Sequence, residues 1–232
     1  MMLAFLAGNI NVGGFMACHR FVTHVTGFGT FAGIELANGH FIEALGMLAV
    51  PFFFLAGAIG SGWLVDGRIS QNKVPRFDTV MALISLCLLL ATAGGVSSYF
   101  GEFGSPAAIK HDFVLLGLLC FASGLQNAVI TSSTGAVIRT THLTGLTTDL
   151  GIGIARILRR NPDPMKHHHD VQNNWIRTEL ILSFVGGSVT GAFLYSHFEY
   201  RGFLLPSLIA LYATRLVFRA RRVGKKPVPA EG

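Results

Sequence analysis

Arg20, His24, Arg139, His142 and Asp149 are ionisable residues set inside otherwise apolar stretches, where they could bind an anion or pass a proton. A charge in hydrocarbon is costly, so the expectation is that all five face the protein interior and pair with one another or with a ligand. Their neighbours repeat. Gly8-x-x-Asn11 precedes Thr23-His24-Val25-Thr26-Gly27, and Gly124-x-x-Asn127 precedes Thr141-His142-Leu143-Thr144-Gly145. A threonine-glycine step that breaks a helix bares unpaired N–H groups and the positive end of the helix dipole, which suits an anion or a carboxylate. In this reading Thr26, Gly27, Thr144 and Gly145 offer backbone and hydroxyl groups, Arg139 or Arg20 complements the charge, and His142 with Asp149 moves a proton.

Helical spacing from His142 puts Gly145, Asp149, Gly153 and Arg156 on one face, since seven residues are close to two turns. The same count in the first half runs from His24 through Gly27 and Phe31 to Glu35. The bland alternative is close helix packing, with threonines bonding back to their own helix. Packing needs no charges, however. Asn11, Gln126 and Asn127 fit either interhelical hydrogen bonding or a direct ligand role.

The elements that must position these residues are membrane helices. Half the chain is apolar, 13% is charged and the mean hydropathy is +0.53. Uncharged or nearly uncharged runs lie at 1–19, 21–34, 44–65, 79–101, 113–138, 180–198 and 202–214, several near the ~20 residues that a spanning helix needs. The expected class is an all-α polytopic transmembrane bundle, one domain over 1–232. Its two halves cover about 3–101 and 112–218, with a basic tail at 219–232 that is expected to be disordered. Residues 43–65, 79–101, 179–198 and 201–218 read as plain spans, with a kink expected at Pro51. The units 1–40 and 112–158 exceed one crossing, and each is broken near its middle.

A second repeat links the plain spans: residues 54–64 match 184–194, and both strings carry small residues at helical spacing. Such strings pack helices together, most simply within the chain; pairing between two copies, a homo-oligomer, is the alternative. Loop charge sets the topology. Segment 66–78 holds Arg68, Lys73 and Arg76, whereas 102–112 holds Lys110 against Glu102 and Asp112. With the basic 156–177 segment and tail on the same side as 66–78, each broken unit makes one net crossing. Six crossings in two inverted halves result, a count of eight being the alternative. The C-terminus is then expected on the cytoplasmic side of the plasma membrane.

Of the 18 Lys and Arg residues, 11 fall in 156–177 and 215–226, flanking apolar runs. They read as topology signals and lipid-headgroup contacts rather than as a nucleic-acid surface, for which no groove-reading motif exists. Cys18, Cys87 and Cys120 lie in apolar segments with no metal or disulfide spacing. His167, His168 and His169 are expected in a solvated polar loop. No metal or cofactor is called for, and the chain is not read as an enzyme: it has no Gly-x-Ser-x-Gly elbow, His-Glu-x-x-His or Walker loop. The apolar N-terminus lacks a basic leader and a cleavage site, so it is kept as the first membrane segment.

The motifs Ala7-Gly8, Gly14-Phe15, Val25-Thr26-Gly27, Gly124-Leu-Gln-Asn127-Ala128, Val137-Ile-Arg139-Thr140-Thr141 and Thr144-Gly145-Leu-Thr-Thr-Asp149-Leu-Gly151 resemble the YoaK family of bacterial inner-membrane proteins, over about residues 3 to 215. The resemblance implies a polytopic membrane protein and names no substrate. Relatives commonly carry aspartate where this chain has Asn11 and asparagine where it has His24. They also have a longer leader, which implies a start upstream. The functional expectation is a secondary transporter or permease for a small solute, an anion being favoured, with its site at the bilayer midplane. Its residues would be His24, Thr26, Gly27, Asn127, Arg139, His142, Thr144, Gly145 and Asp149, in contact with the lipid bilayer and an unidentified solute. A membrane scaffold or sensor module is the competing class.

Overall fold

The computed structural model describes residues 1–105, 109–133, 143–159 and 164–223, and among these every regular element is helical. The elements are α1 (Met2–Cys18), α2 (Thr26–Ala37), α3 (Phe41–Leu64), α4 (Asp66–Ile69), α5 (Phe77–Val96), α6 (Ile109–Ser133), α7 (Leu143–Leu158), α8 (Pro164–Phe198) and α9 (Leu204–Val223). A 3₁₀ turn, Glu199–Phe203, joins the last two. Four helical stretches are long and apolar enough to cross a membrane: Phe41–Ile69, Phe77–Val96, Phe113–Ser132 and Pro164–Arg221. The last of them contains both α8 and α9. α3 is the most apolar of those left bare, with mean hydropathy 2.0 and only 17% of its window buried. Ile42, Phe52 and Trp63 point outward from it, which water would oppose and lipid welcomes.

The helices pair across the halves. α1 lies on α8 and α6 lies on α3, each pair running parallel: Gly8 meets Phe184 and Gly13 meets Tyr195, while Gly46 meets Phe113 and Gly57 meets Phe121. Glycine is required at these crossings by close approach of backbone to backbone. A methyl on Gly8 would overlap the Phe184 carbonyl, and one on Gly124 would overlap the Phe54 carbonyl, the matching pair in the other half. Gly187 against the Phe5 carbonyl and Gly57 against the Phe121 carbonyl form a second matching pair. The 54–64 and 184–194 strings therefore do pack within the chain, each against the other half's first helix. Gly62 and Gly186, in the same strings, touch nothing.

Three further contacts fix direction. α5 and α9 are antiparallel, since Gly95 meets Tyr200, the Ser85 hydroxyl donates to the Ser207 carbonyl at 3.0 Å, and Arg221 grips Asp78 at 3.0 and 3.2 Å. α1 opposes α6: Gln126 Nε2 donates to the Leu3 carbonyl at 2.6 Å near the end of α6, while His19 lies 3.1 Å from the Gly104 carbonyl just before α6 begins. Corresponding helices of the two halves thus run in opposite directions. One end of the bundle gathers Arg68, Lys73, Arg76, Arg156, Arg159 and Arg221; Glu35, Glu102 and Glu199 lie at the other.

One expectation is corrected. His167 to His169 are helical, in the opening turns of a 35-residue α8, because the polar stretch continues the helix that the span needs. The expected loop and the 179–198 span are one element. Pro51, where a kink is expected, lies inside α3, which is continuous from Phe41 to Leu64, and this leaves that expectation standing. The tail beyond Val223 lies outside the described residues.

Candidate functional site

The first break is built by a chain reversal. α1 ends at His19, whose left-handed φ of 53° turns the backbone while its N–H still bonds the Phe15 carbonyl. Residues 21–23 then run back along α1: Phe21 stacks on Phe15 at 4.7 Å between ring centroids, and Val22 fills the notch left by Gly14. Thr23 closes the turn by donating its N–H and hydroxyl to Asn11 Oδ1 at 3.3 and 2.8 Å. α2 restarts at Thr26 and runs the way α1 ran, to a tight turn at 38–40 where His40 pairs with Glu35 at 2.9 Å.

Hydrogen-bond logic fixes one histidine. Asn11 Oδ1 can only accept, so the Thr23 hydroxyl donates there. Thr23 Oγ1 must then accept from His24 Nδ1, 3.0 Å away. His24 therefore carries a proton on Nδ1. This chain of contacts links α1 to the break. Neither Thr23 nor Asn11 is available to a solute while it is intact.

A cavity of about 380 Å³ lies against this break. Asn11, Arg20, His24, Thr26 and Gly27 line it, together with Phe21, Phe28, Phe31, Leu143 and Phe184. Leu143 is the first residue of α7, so the start of the second broken helix meets the start of the first. Neither α2 nor α7 has an acid in its first turn, and no side chain caps α2. Their dipoles point positive ends at one space. Three helical turns separate Phe184 from Tyr195 near the acidic end, about 16 Å of rise and close to half the ~30 Å of a bilayer core.

Arg20 is held above the cavity. Its guanidinium carbon sits 4.5 Å from the centroid of Phe31, and Nη1 donates to the His19 carbonyl at 2.9 Å. Its Nε is buried and has no hydrogen-bond partner among the described residues.

Of the residues expected from sequence, His24, Thr26 and Gly27 meet at the cavity. Asn127 lies on α6, away from it, and its carbonyl accepts from Thr131. Thr144, Gly145 and Asp149 are on α7 with exposed side chains, so Asp149 does not face the interior of this chain as expected. The predicted stripe is also split. Gly153 is buried against Asn174, whereas Gly145, Asp149 and Arg156 stay exposed. Arg139 and His142 lie outside the described residues. The phenylalanines were missed as site residues. Phe184 had a signal, since it heads the second repeat string, but its glycines drew the whole string into packing. Among the described residues no three His, Cys, Asp or Glu side chains converge to hold a metal ion.

The model of a family of proteins of unknown function, DUF1275, matches residues 1–216. The chain belongs to that family. The match is consistent with the YoaK-type membrane proteins that the motifs resemble. No curated protein and no solved structure matches this chain. With its apolar helices and outward apolar girdle, the DUF1275 chain is a helical membrane protein whose family description assigns no activity.

Proposed function

We propose that the protein is a permease for a small anion, binding it at mid-depth where α2 and α7 begin. The observation that carries this reading is the convergence of Arg20 and of the first turns of α2 and α7, neither of which holds an acid, on one cavity. Hydrocarbon tolerates broken backbone and charge only where protein or water surrounds them, and opposed half-helices at mid-depth are how inverted repeats build solute sites. Six crossings follow from the alternating directions of α1, α3, α5, α6, α8 and α9. The basic end is assigned to the cytoplasm of a bacterial cell by the positive-inside rule, which carries the C-terminus there. His24, on the cavity lining, is the proton carrier nearest the solute, and Asp149 and His142 are assigned to the route along α7.

Reconstitution into liposomes tests this. Labelled anion uptake should exceed that of empty vesicles, respond to a pH gradient, and fall at least ten-fold in Arg20→Gln. Uptake unchanged by Arg20→Gln, Arg139→Gln and Asp149→Asn would remove the site assignment. Absence of flux for every anion, with a folded protein, would favour the scaffold or sensor reading.

A further inference from the structure

The cavity is too apolar for an inorganic anion and too singly charged for a dianion. Its walls are phenyl rings: Phe28 and Phe184 are buried, while Phe21 and Phe31 flank the opening. Chloride or phosphate would exchange a hydration shell for these rings and have few donors to replace it. Arg20 is the one cation with a fixed charge on the described lining, so a second carboxylate would lie unpaired. The polar groups are gathered at one side. The Arg20 guanidinium and the first turns of α2 and α7 at Thr26 and Leu143 form an acceptor-binding end, and the rings form a body-binding end.

Resting on the site assigned above, we infer that the ligand is a small monocarboxylate with an aromatic or branched apolar body. The carboxylate takes the guanidinium of Arg20, whose planar donor set matches two oxygens in a way a lysine would not. The stacking of Arg20 on Phe31 holds that group in place before the ligand arrives. A ring fits beside it. A space of about 380 Å³ falls within the range of small-molecule pockets, which are mostly apolar with a few placed polar groups.

The test is binding to the full chain in nanodiscs, with empty nanodiscs subtracted to remove partition into lipid. Benzoate, formate, phosphate, benzyl alcohol and phthalate separate charge from body. Benzoate should bind at least ten-fold more tightly than any of the other four. Arg20→Gln should weaken benzoate ten-fold or more and Phe31→Ala several-fold, while Arg201→Gln at the far end leaves it unchanged. Formate or phosphate binding as tightly as benzoate overturns the inference, as does benzoate affinity indifferent to Arg20→Gln. Should Arg20→Gln fail to fold, the ranking of the five probes on the unaltered protein decides alone. Benzoate bound through Arg20 but never carried across liposomes would leave the ligand class standing and end the permease reading. Carriage of phosphate or chloride without benzoate binding would do the reverse.

Discussion

α2 and α7 hold equivalent places in the two halves, yet their outward faces differ in kind. Over their first turns α2 exposes Thr26, Thr30 and Phe31 and α7 exposes Thr144, Thr148 and Asp149 at the matching places, so the difference lies in Phe31 against Asp149. A phenyl ring suits lipid. On α7 the Thr147 and Thr148 hydroxyls bond back to the Leu143 and Thr144 carbonyls at 2.8 and 2.9 Å, which hides two polar groups, but nothing of that kind hides a carboxylate. A charge at that depth requires water or a partner group. The shared cavity therefore has an apolar flank toward the acidic end and a polar flank toward the basic end. The repeat supplies the frame, and its departures from symmetry give the two helices different outward faces.

The largest test of the symmetric frame is at the glycine crossings. Gly187→Leu and the matching Gly57→Leu should each abolish a monodisperse, folded protein in detergent, because the new side chain meets backbone that cannot yield. Gly186→Leu, at an open position, should leave thermal unfolding close to that of the parent chain. Equal damage at Gly186 would show that glycine matters there for helix flexibility rather than for approach.

The next effect concerns the ends of α5 and α9, which the repeat relates to each other. Asp78→Ala or Arg221→Ala should cost about 1–3 kcal/mol, below the penalty for a fully buried pair because both groups keep some exposure. The double variant should cost no more than the worse single one. An additive double variant in a thermal-unfolding cycle would refute a direct pairing.

At the first break, Asn11→Ala leaves the Thr23 N–H and hydroxyl without their acceptor and should cost about 1–3 kcal/mol. Asn11→Asp keeps an acceptor at the same place and should cost less. The smallest effect is expected from Asp149→Asn on stability, within about 0.5 kcal/mol for an exposed group. Any large loss of stability there would mean that α7 packs more tightly than its exposure indicates.

Much of the frame was readable because duplicated packing needs duplicated residues. Gly8 with Gly124 and Phe54 with Phe184 recur since each glycine makes the same backbone contact with the phenylalanine of the opposite half. Partner choice was not readable. Apolar helix faces are nearly interchangeable by composition, so only shape decides that α1 rests on α8 rather than on α3. The site was read in part for the same reason: His24, Thr26 and Gly27 are contiguous, while Asn11, Leu143 and Phe184 join them through folding. Asp149 and Gly153 were placed together by helical count, but Asn174, from another helix, covers only Gly153.

The sequence by itself determined that this chain is a helical membrane protein with a duplicated, twice-broken design, because lipid admits long uncharged helices and punishes every exception to them. Tertiary structure alone decided which exceptions meet. Exchange of first helices between the halves brings two helix starts to one cavity at mid-depth, a result that depends on side-chain shape across more than a hundred residues of chain and on no local pattern.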